Sequence, residues 1–314
     1  MRHLLLAALA ASSLIVPLRA QEAPTPPSPG EIVAAAKADE WIAIAAPDLL
    51  VMDLPPAAKD KPRRVVIQMM PAPFSAGWVG NIRKLAAAHW WDGTSINRVQ
   101  DNYVVQWGDA TEKKPLPAGL ATMAESDYAT SEPADSFLPL FQVNDPYAGA
   151  ITLYKGWPLG FAPVDPDNFN SGDVYWPLHC YGMVGVGRNM SPDTGSGAEL
   201  YTVIGQAPRH LDRNIALVGR VISGIEHLSS LPRGTGDLGF YENAKERVPI
   251  RSIRLASDLP EGDRPRFEYL STESDSFARY ADARANRRDP FFIRPAGGAD
   301  ICNIPVPVRA VAAK

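Results

Sequence analysis

The chain has 314 residues, 46% hydrophobic and 21% charged, enough apolar material for one large packed domain or two smaller ones and too much for a largely disordered chain. Its 31 basic and 35 acidic residues give a net charge of -4, so no excess of cations is available to neutralise phosphates and nucleic acid is not expected as a partner. Thirty prolines and 24 glycines favour a β-rich, turn-rich fold with few long helices.

Residues 1–20 read as an export signal: Arg2 and His3 precede an apolar run from Leu4 to Leu18, and Ala20 offers a small residue at the cut. At about 15 residues that run falls short of the roughly 20 that span a bilayer, so cleavage, periplasmic release and no stable membrane insertion are expected, with an uncleaved anchor as the alternative. Residues 21–47 then hold a proline-rich tether and an alanine-rich stretch, 31–46, that predicts a helix. Strands are predicted at 49–54 and 64–70, and a short amphipathic helix at 80–91, where Ile82, Leu85, Ala86, His89 and Trp90 share a face. After Asp92-Gly93, residues 95–108 read as two strands joined by the turn Gln100-Asp101-Asn102. Residues 109–179 lack sustained periodicity and form a long excursion, either a functional loop region or a packed insertion, and its many aromatics argue for packing. Strands resume at 182–187, 200–205 and 215–221, a helix is predicted at 222–231, and a strand at 249–256 is expected to close the sheet. A tail from 259 onward carries a charged helix at 272–288, and Cys180 and Cys302 form an even pair that an oxidising compartment would allow to bridge.

Three segments carry a family resemblance. Asp92-Gly93-Thr94 with Ile96-Asn97-Arg98-Val99, then Tyr103-Val104-Val105-Gln106-Trp107-Gly108-Asp109, and later Gly197-Ala198-Glu199-Leu200-Tyr201 resemble the motifs of cyclophilin-type peptidyl-prolyl cis-trans isomerases. Leu217-Val218-Gly219-Arg220-Val221 is similar to a further strand of that family, and the likeness covers about 48–109 and 182–257. It implies a mainly β fold: a closed antiparallel β-barrel of about eight strands with two flanking helices, spanning 48–258 with an insertion at about 110–181. It further implies isomerisation of X-Pro bonds in proline-containing polypeptide clients, without cofactor or metal. Arg98 would be the catalytic donor to the twisted amide. Tyr103, Val104 and Tyr201 would line the prolyl pocket, Gln106 would position the substrate backbone, Gly187 falls at the family's backbone-binding pair, and Glu199, His210 and Leu211 would be further substrate-binding residues. Counting back from Leu211-Asp212 offers Thr202 in place of Tyr201, and the match through Gln206-Ala207-Pro208 favours Tyr201. The chain departs from the family pattern at Asn97, Val104, Trp107, Glu199, Gly187-Arg188 and His210. The alternative reading is a non-catalytic binding or chaperone module on the same barrel.

Other motifs yield nothing. The run from Gly234 to Gly239 matches a dinucleotide fingerprint in letters but lacks the strand before it, and His179 beside Cys180 has no second ligand pair. No base stands near Ser196 in a recognisable pattern, so a hydrolase is not supported.

Overall fold

A computed structural model describes residues 25–56, 61–131 and 145–312, with the side chains of 169–170 left aside. The export signal read at 1–20 lies outside these residues. The strands are β1 (Trp41–Ala43), β2 (Leu49–Leu54), β3 (Arg63–Met69), β4 (Ser95–Val99), β5 (Val104–Gly108), β6 (Ala150–Tyr154), β7 (Trp157–Asp165) and β8 (Asn168–Pro177). They continue as β9 (Met183–Val186), β10 (Leu200–Val203), β11 (Leu217–Ser223), β12 (Val248–Pro249), β13 (Ser252–Leu255), β14 (Phe267–Leu270) and β15 (Val308–Ala310). The helices are α1 (Pro29–Ala34), α2 (Ala76–Ala87), α3 (Glu226–Ser229) and α4 (Asp275–Ala285).

Nine strands form one curled antiparallel sheet in the order β12-β4-β5-β10-β9-β11-β3-β2-β13. Its two edges are joined by consecutive residues. Val248 pairs with Ile96 on one edge, Ser252 pairs with Asp53 on the other, and between them Ile250 donates to the Thr94 carbonyl and Arg251 to that of Asp53. The strand expected at 249–256 therefore does close the barrel, by bending from one edge to the other, which leaves no long open edge. Trp78, Trp91 and Trp107 are fully buried with Leu50, Met52 and Ile96 in its core.

The helix predicted at 31–46 is a single turn and a half. Ser28 caps α1, accepting from the Glu31 amide while the Glu31 carboxylate accepts from the Ser28 amide, but the chain turns extended at Trp41 because that residue pairs with Leu270. Sheet formation overrides alanine propensity there. The helix expected at 222–231 shrinks for a similar reason: β11 runs on to Ser223, leaving only α3. In the amphipathic helix the register shifts, α2 starting at Ala76 and ending before His89. Trp78, Ile82, Leu85 and Ala86 form its buried face, and Asn81 is tied to Ala121 and Ser196.

The middle excursion is a packed insertion. β6, β7 and β8 form a separate antiparallel sheet whose Ile151, Leu153, Trp157, Leu159 and Trp176 join the barrel's own core cluster. A third small sheet, β1-β14-β15, gathers the two ends of the described chain, and α4 buries Phe277, Tyr280 and Ala281 near α1. Cys180 and Cys302 are bridged, with Cα atoms 5.1 Å apart, joining the end of the insertion to the tail.

Candidate active site

The pairing register assembles the site. Arg98 on β4 lies opposite Gln106 on β5, Gln106 lies opposite Tyr201 on β10, and Tyr201 lies opposite Gly185 on β9. Residues directly opposite in an antiparallel ladder share a face, so these four side-chain positions point to one side of the sheet. Val104, two residues before Gln106, and its partner Val203 lie on that same side and cluster with Tyr201, Tyr103 and Ile215. Thr202, the other candidate for the second aromatic position, points the opposite way and is fully buried.

The guanidinium of Arg98 is fixed from three directions. Its Nε donates to the Leu238 carbonyl at 2.7 Å, one terminal nitrogen donates to Gln106 Oε1 at 3.2 Å, and the other donates to Gln100 Oε1. The cation stands 5.6 Å from the Tyr103 ring centre and 5.4 Å from that of Phe240. Three of five N–H donors are thus engaged, and two are left for another acceptor. Burial lowers its pKa from the ordinary arginine value, with the Tyr103 and Tyr201 hydroxyls opposing that shift.

The apolar wall is built by Tyr103, with the exposed His210 ring stacked nearly parallel to it at 6.5 Å, and by the buried Val104 and Tyr201. Leu211 is half-buried in the same turn as His210. Beside this wall opens a cavity of about 540 Å³ lined by Gln106, Gly187 and Glu199, with Asp109, Arg188 and Phe240 among its other walls. A Cβ at Gly187 would come within 2.9 Å of the Glu199 Cβ and 3.5 Å of Gln106 Nε2, so glycine keeps that passage open. Glu199 Oε1 accepts the Asp109 amide at 2.7 Å, and burial raises its carboxyl pKa to about 7.

Among the departures from the family pattern, Trp107 falls away from this face, fully buried on the core side of β5. Asn97 is buried at the wall of the cavity, bonded to Ser95 and to the Gly108 carbonyl. Sequence reasoning missed Gln100, read as a plain turn residue, and the segment around Leu238 and Phe240, read only as an unsupported nucleotide motif. No local signal links Leu238 to Arg98, since 140 residues separate them. In the sequence His179 reads only as a histidine without a second metal-ligand pair. That ring is fully buried, 2.8 Å from the Tyr201 hydroxyl and 2.9 Å from Asp212. Among the described residues no cluster of His, Cys, Asp or Glu suits a metal.

Against known proteins, residues 65–255 match the family described as "Cyclophilin type peptidyl-prolyl cis-trans isomerase/CLD". The chain is similar in structure to the cyclophilin AquaCyp293 from Hirschia baltica, with 20% identity and a TM-score of 0.67 over 87% of this chain and 94% of that one. It also aligns to a cyclophilin type isomerase of Cryptosporidium parvum solved in the presence of the dipeptide Ala-Pro, with 10% identity and a TM-score of 0.36 over 66% and 98% of the two chains. None of the curated proteins compared matches the sequence.

Proposed function

The chain belongs to the cyclophilin-type peptidyl-prolyl cis-trans isomerase family, and from that premise we propose that it isomerises X-Pro bonds of exported polypeptides by electrostatic stabilisation of the twisted amide at Arg98. The two planar isomers differ by only about 0.5–1 kcal/mol, yet a barrier of roughly 18–20 kcal/mol separates them because rotation breaks amide resonance. Catalysis here needs no bond made or broken. It needs a surface that binds the twisted amide better than either planar form.

Twisting localises a lone pair on the prolyl nitrogen, which then accepts a hydrogen bond that the planar amide refuses. The observation that carries the reading is the Arg98 guanidinium, held by Leu238, Gln106 and Gln100 with two N–H groups to spare beside an aromatic wall. Preset by those acceptors, it has little reorganisation left at the moment of reaction. Tyr103, Val104, Tyr201, His210 and Leu211 offer apolar and ring surface to the pyrrolidine. Gln106, with Oε1 turned to Arg98 and its amide group turned to Glu199, is suited to hold the substrate backbone, and the cavity at Gly187 is suited to receive the residues preceding proline.

Export to the periplasm rests on the signal-like N-terminus, and the Cys180–Cys302 bridge is compatible with an oxidising compartment. The test is exchange spectroscopy on a short Ala-Pro peptide with the mature chain. Accelerated cis-trans exchange, with shifts confined to groups around Arg98 and Gln106, is expected. A folded chain that binds the peptide without accelerating exchange would favour the non-catalytic module instead.

A further inference from the structure

Tyr201 places a phenolic hydroxyl at the base of an apolar wall, where a polar atom without a partner would be costly. Its partner is His179, which follows the insertion sheet directly: Nε2 lies 2.8 Å from the Tyr201 hydroxyl. The other ring nitrogen, Nδ1, lies 2.9 Å from Asp212 Oδ1, which also accepts the backbone N–H of His179 at 2.9 Å. Beyond it, Arg209 Nε donates to Asp212 Oδ2 at 2.5 Å, and the two terminal nitrogens of Arg209 grip both oxygens of Asp145 at 2.9 Å each. Asp145 belongs to the insertion, and the Tyr147 ring lies 5.4 Å from the Arg209 cation. The side chains of His179, Asp212, Arg209 and Asp145, like Tyr201, are at least nine-tenths buried, whereas Tyr147 is exposed.

The direction of the bonds follows from donor chemistry. Asp212, paired with Arg209, is a carboxylate and only accepts, so the imidazole proton sits on Nδ1. Nε2 is then an acceptor and the Tyr201 hydroxyl donates to it, turned inward, while the ring lies against Gly185, where a Cβ would come within 2.3 Å of it. Burial keeps the imidazole neutral, lowering its pKa. The ring is therefore held at its tip by a polar tether and along its side by backbone.

We propose that His179, Asp212, Arg209 and Asp145 are positioning residues that set the height of the Tyr201 ring under the prolyl pocket, making the insertion a determinant of how tightly a prolyl ring is held. The inference rests on the isomerase reading of that groove. A ring under the pyrrolidine touches planar and twisted amides alike, so loosening it raises KM and leaves kcat nearly unchanged. A merely structural role would lower thermal stability without that split.

The experiment is a double-mutant cycle on the full mature chain with an Ala-Pro peptide, using Tyr201→Phe and His179→Gln singly and together. Each single variant cuts the same tether, so each is expected to raise KM about five- to tenfold and the double variant no further. An unchanged KM in folded His179→Gln, or two effects that multiply, would overturn the proposal. Should His179→Gln fail to fold, Asp145→Asn, which touches the network only at Arg209, replaces it with the same non-multiplying pattern expected. The Tyr201 ring-proton resonances separate this proposal from the isomerase reading. A parent without turnover contradicts that reading, whereas the tether stands if Asp145→Asn shifts those resonances and falls if they stay in place.

Discussion

At the scale of single residues, the site centres on a cation with three donors engaged by Leu238, Gln106 and Gln100 and two left over, which the proposed mechanism uses. Glu199 is the second residue of consequence, because it stands where the family pattern has glutamine and is held in the folded protein at a pKa of about 7 against 4.5 when free. Between those two values the native state keeps a proton that the unfolded chain has lost, so stability falls as pH rises from 4.5 to about 7 and stays lower above it, by roughly 3 kcal/mol in all. Glu199→Gln is expected to remove that slope and to be the more stable protein at pH 8, as denaturant unfolding at pH 5 and pH 8 would read; an unchanged slope would contradict the burial of this carboxyl. Legibility in sequence follows chain proximity. Arg98, Tyr103 and Gln106 sit within nine residues and show as a pattern, whereas Gln100 carries no distinguishing chemistry and His179 reaches Asp212 across 33 positions. Only folding joins such pairs.

At the scale of elements, periodicity located the barrel strands because each has one face on a core, and it failed where pairing partners lay far away. The stretch at 41–43 reads as helix by alanine content, but Trp41, Ile42 and Ala43 have β14 as their ladder partner, more than 200 residues on. The insertion strands escaped notice because β7 and β8 carry prolines, aspartates and glycines in place of clean alternation. What fastens these late elements is covalent as well as apolar. The bridge between Cys180 and Cys302 spans 122 residues, and restricting so long a loop in the unfolded chain stabilises by about 4–5 kcal/mol in the chain-entropy account. Cys302→Ser is expected to lower the unfolding free energy by an amount of that order, measured by urea titration under oxidising conditions. A loss below about 1 kcal/mol would mean that the segment Ile301–Asn303 is held by packing alone.

At the scale of the whole molecule, Arg220 is where barrel, insertion and tail meet. Its Nε and one terminal nitrogen donate to Gln68 Oε1 at 2.9 and 2.7 Å, the other terminal nitrogen donates to the Gly156 carbonyl at 2.7 Å, and the cation faces the Trp157 and Tyr269 rings at 4.6 and 5.9 Å. Burial without a carboxylate partner among the described residues pulls its pKa down to about 10, yet it stays charged at neutral pH. Lysine lacks the planar fork and the stacking surface. Arg220→Lys is therefore expected to cost about 2–3 kcal/mol and to raise hydrogen exchange together at β7 and β14, with β4, β5 and β10 little affected. Loosening spread evenly over the barrel would contradict this junction role.

Whether the preset guanidinium of Arg98 stabilises the twisted prolyl amide is read from kcat/KM for cis-to-trans isomerisation of an Ala-Pro peptide by the parent, Arg98→Lys and Arg98→Ala, each shown to be folded. A loss of about a hundredfold or more in Arg98→Ala, carried mainly by kcat, with Arg98→Lys closer to alanine than to the parent, is the predicted result. Parent-like turnover by Arg98→Ala would contradict it.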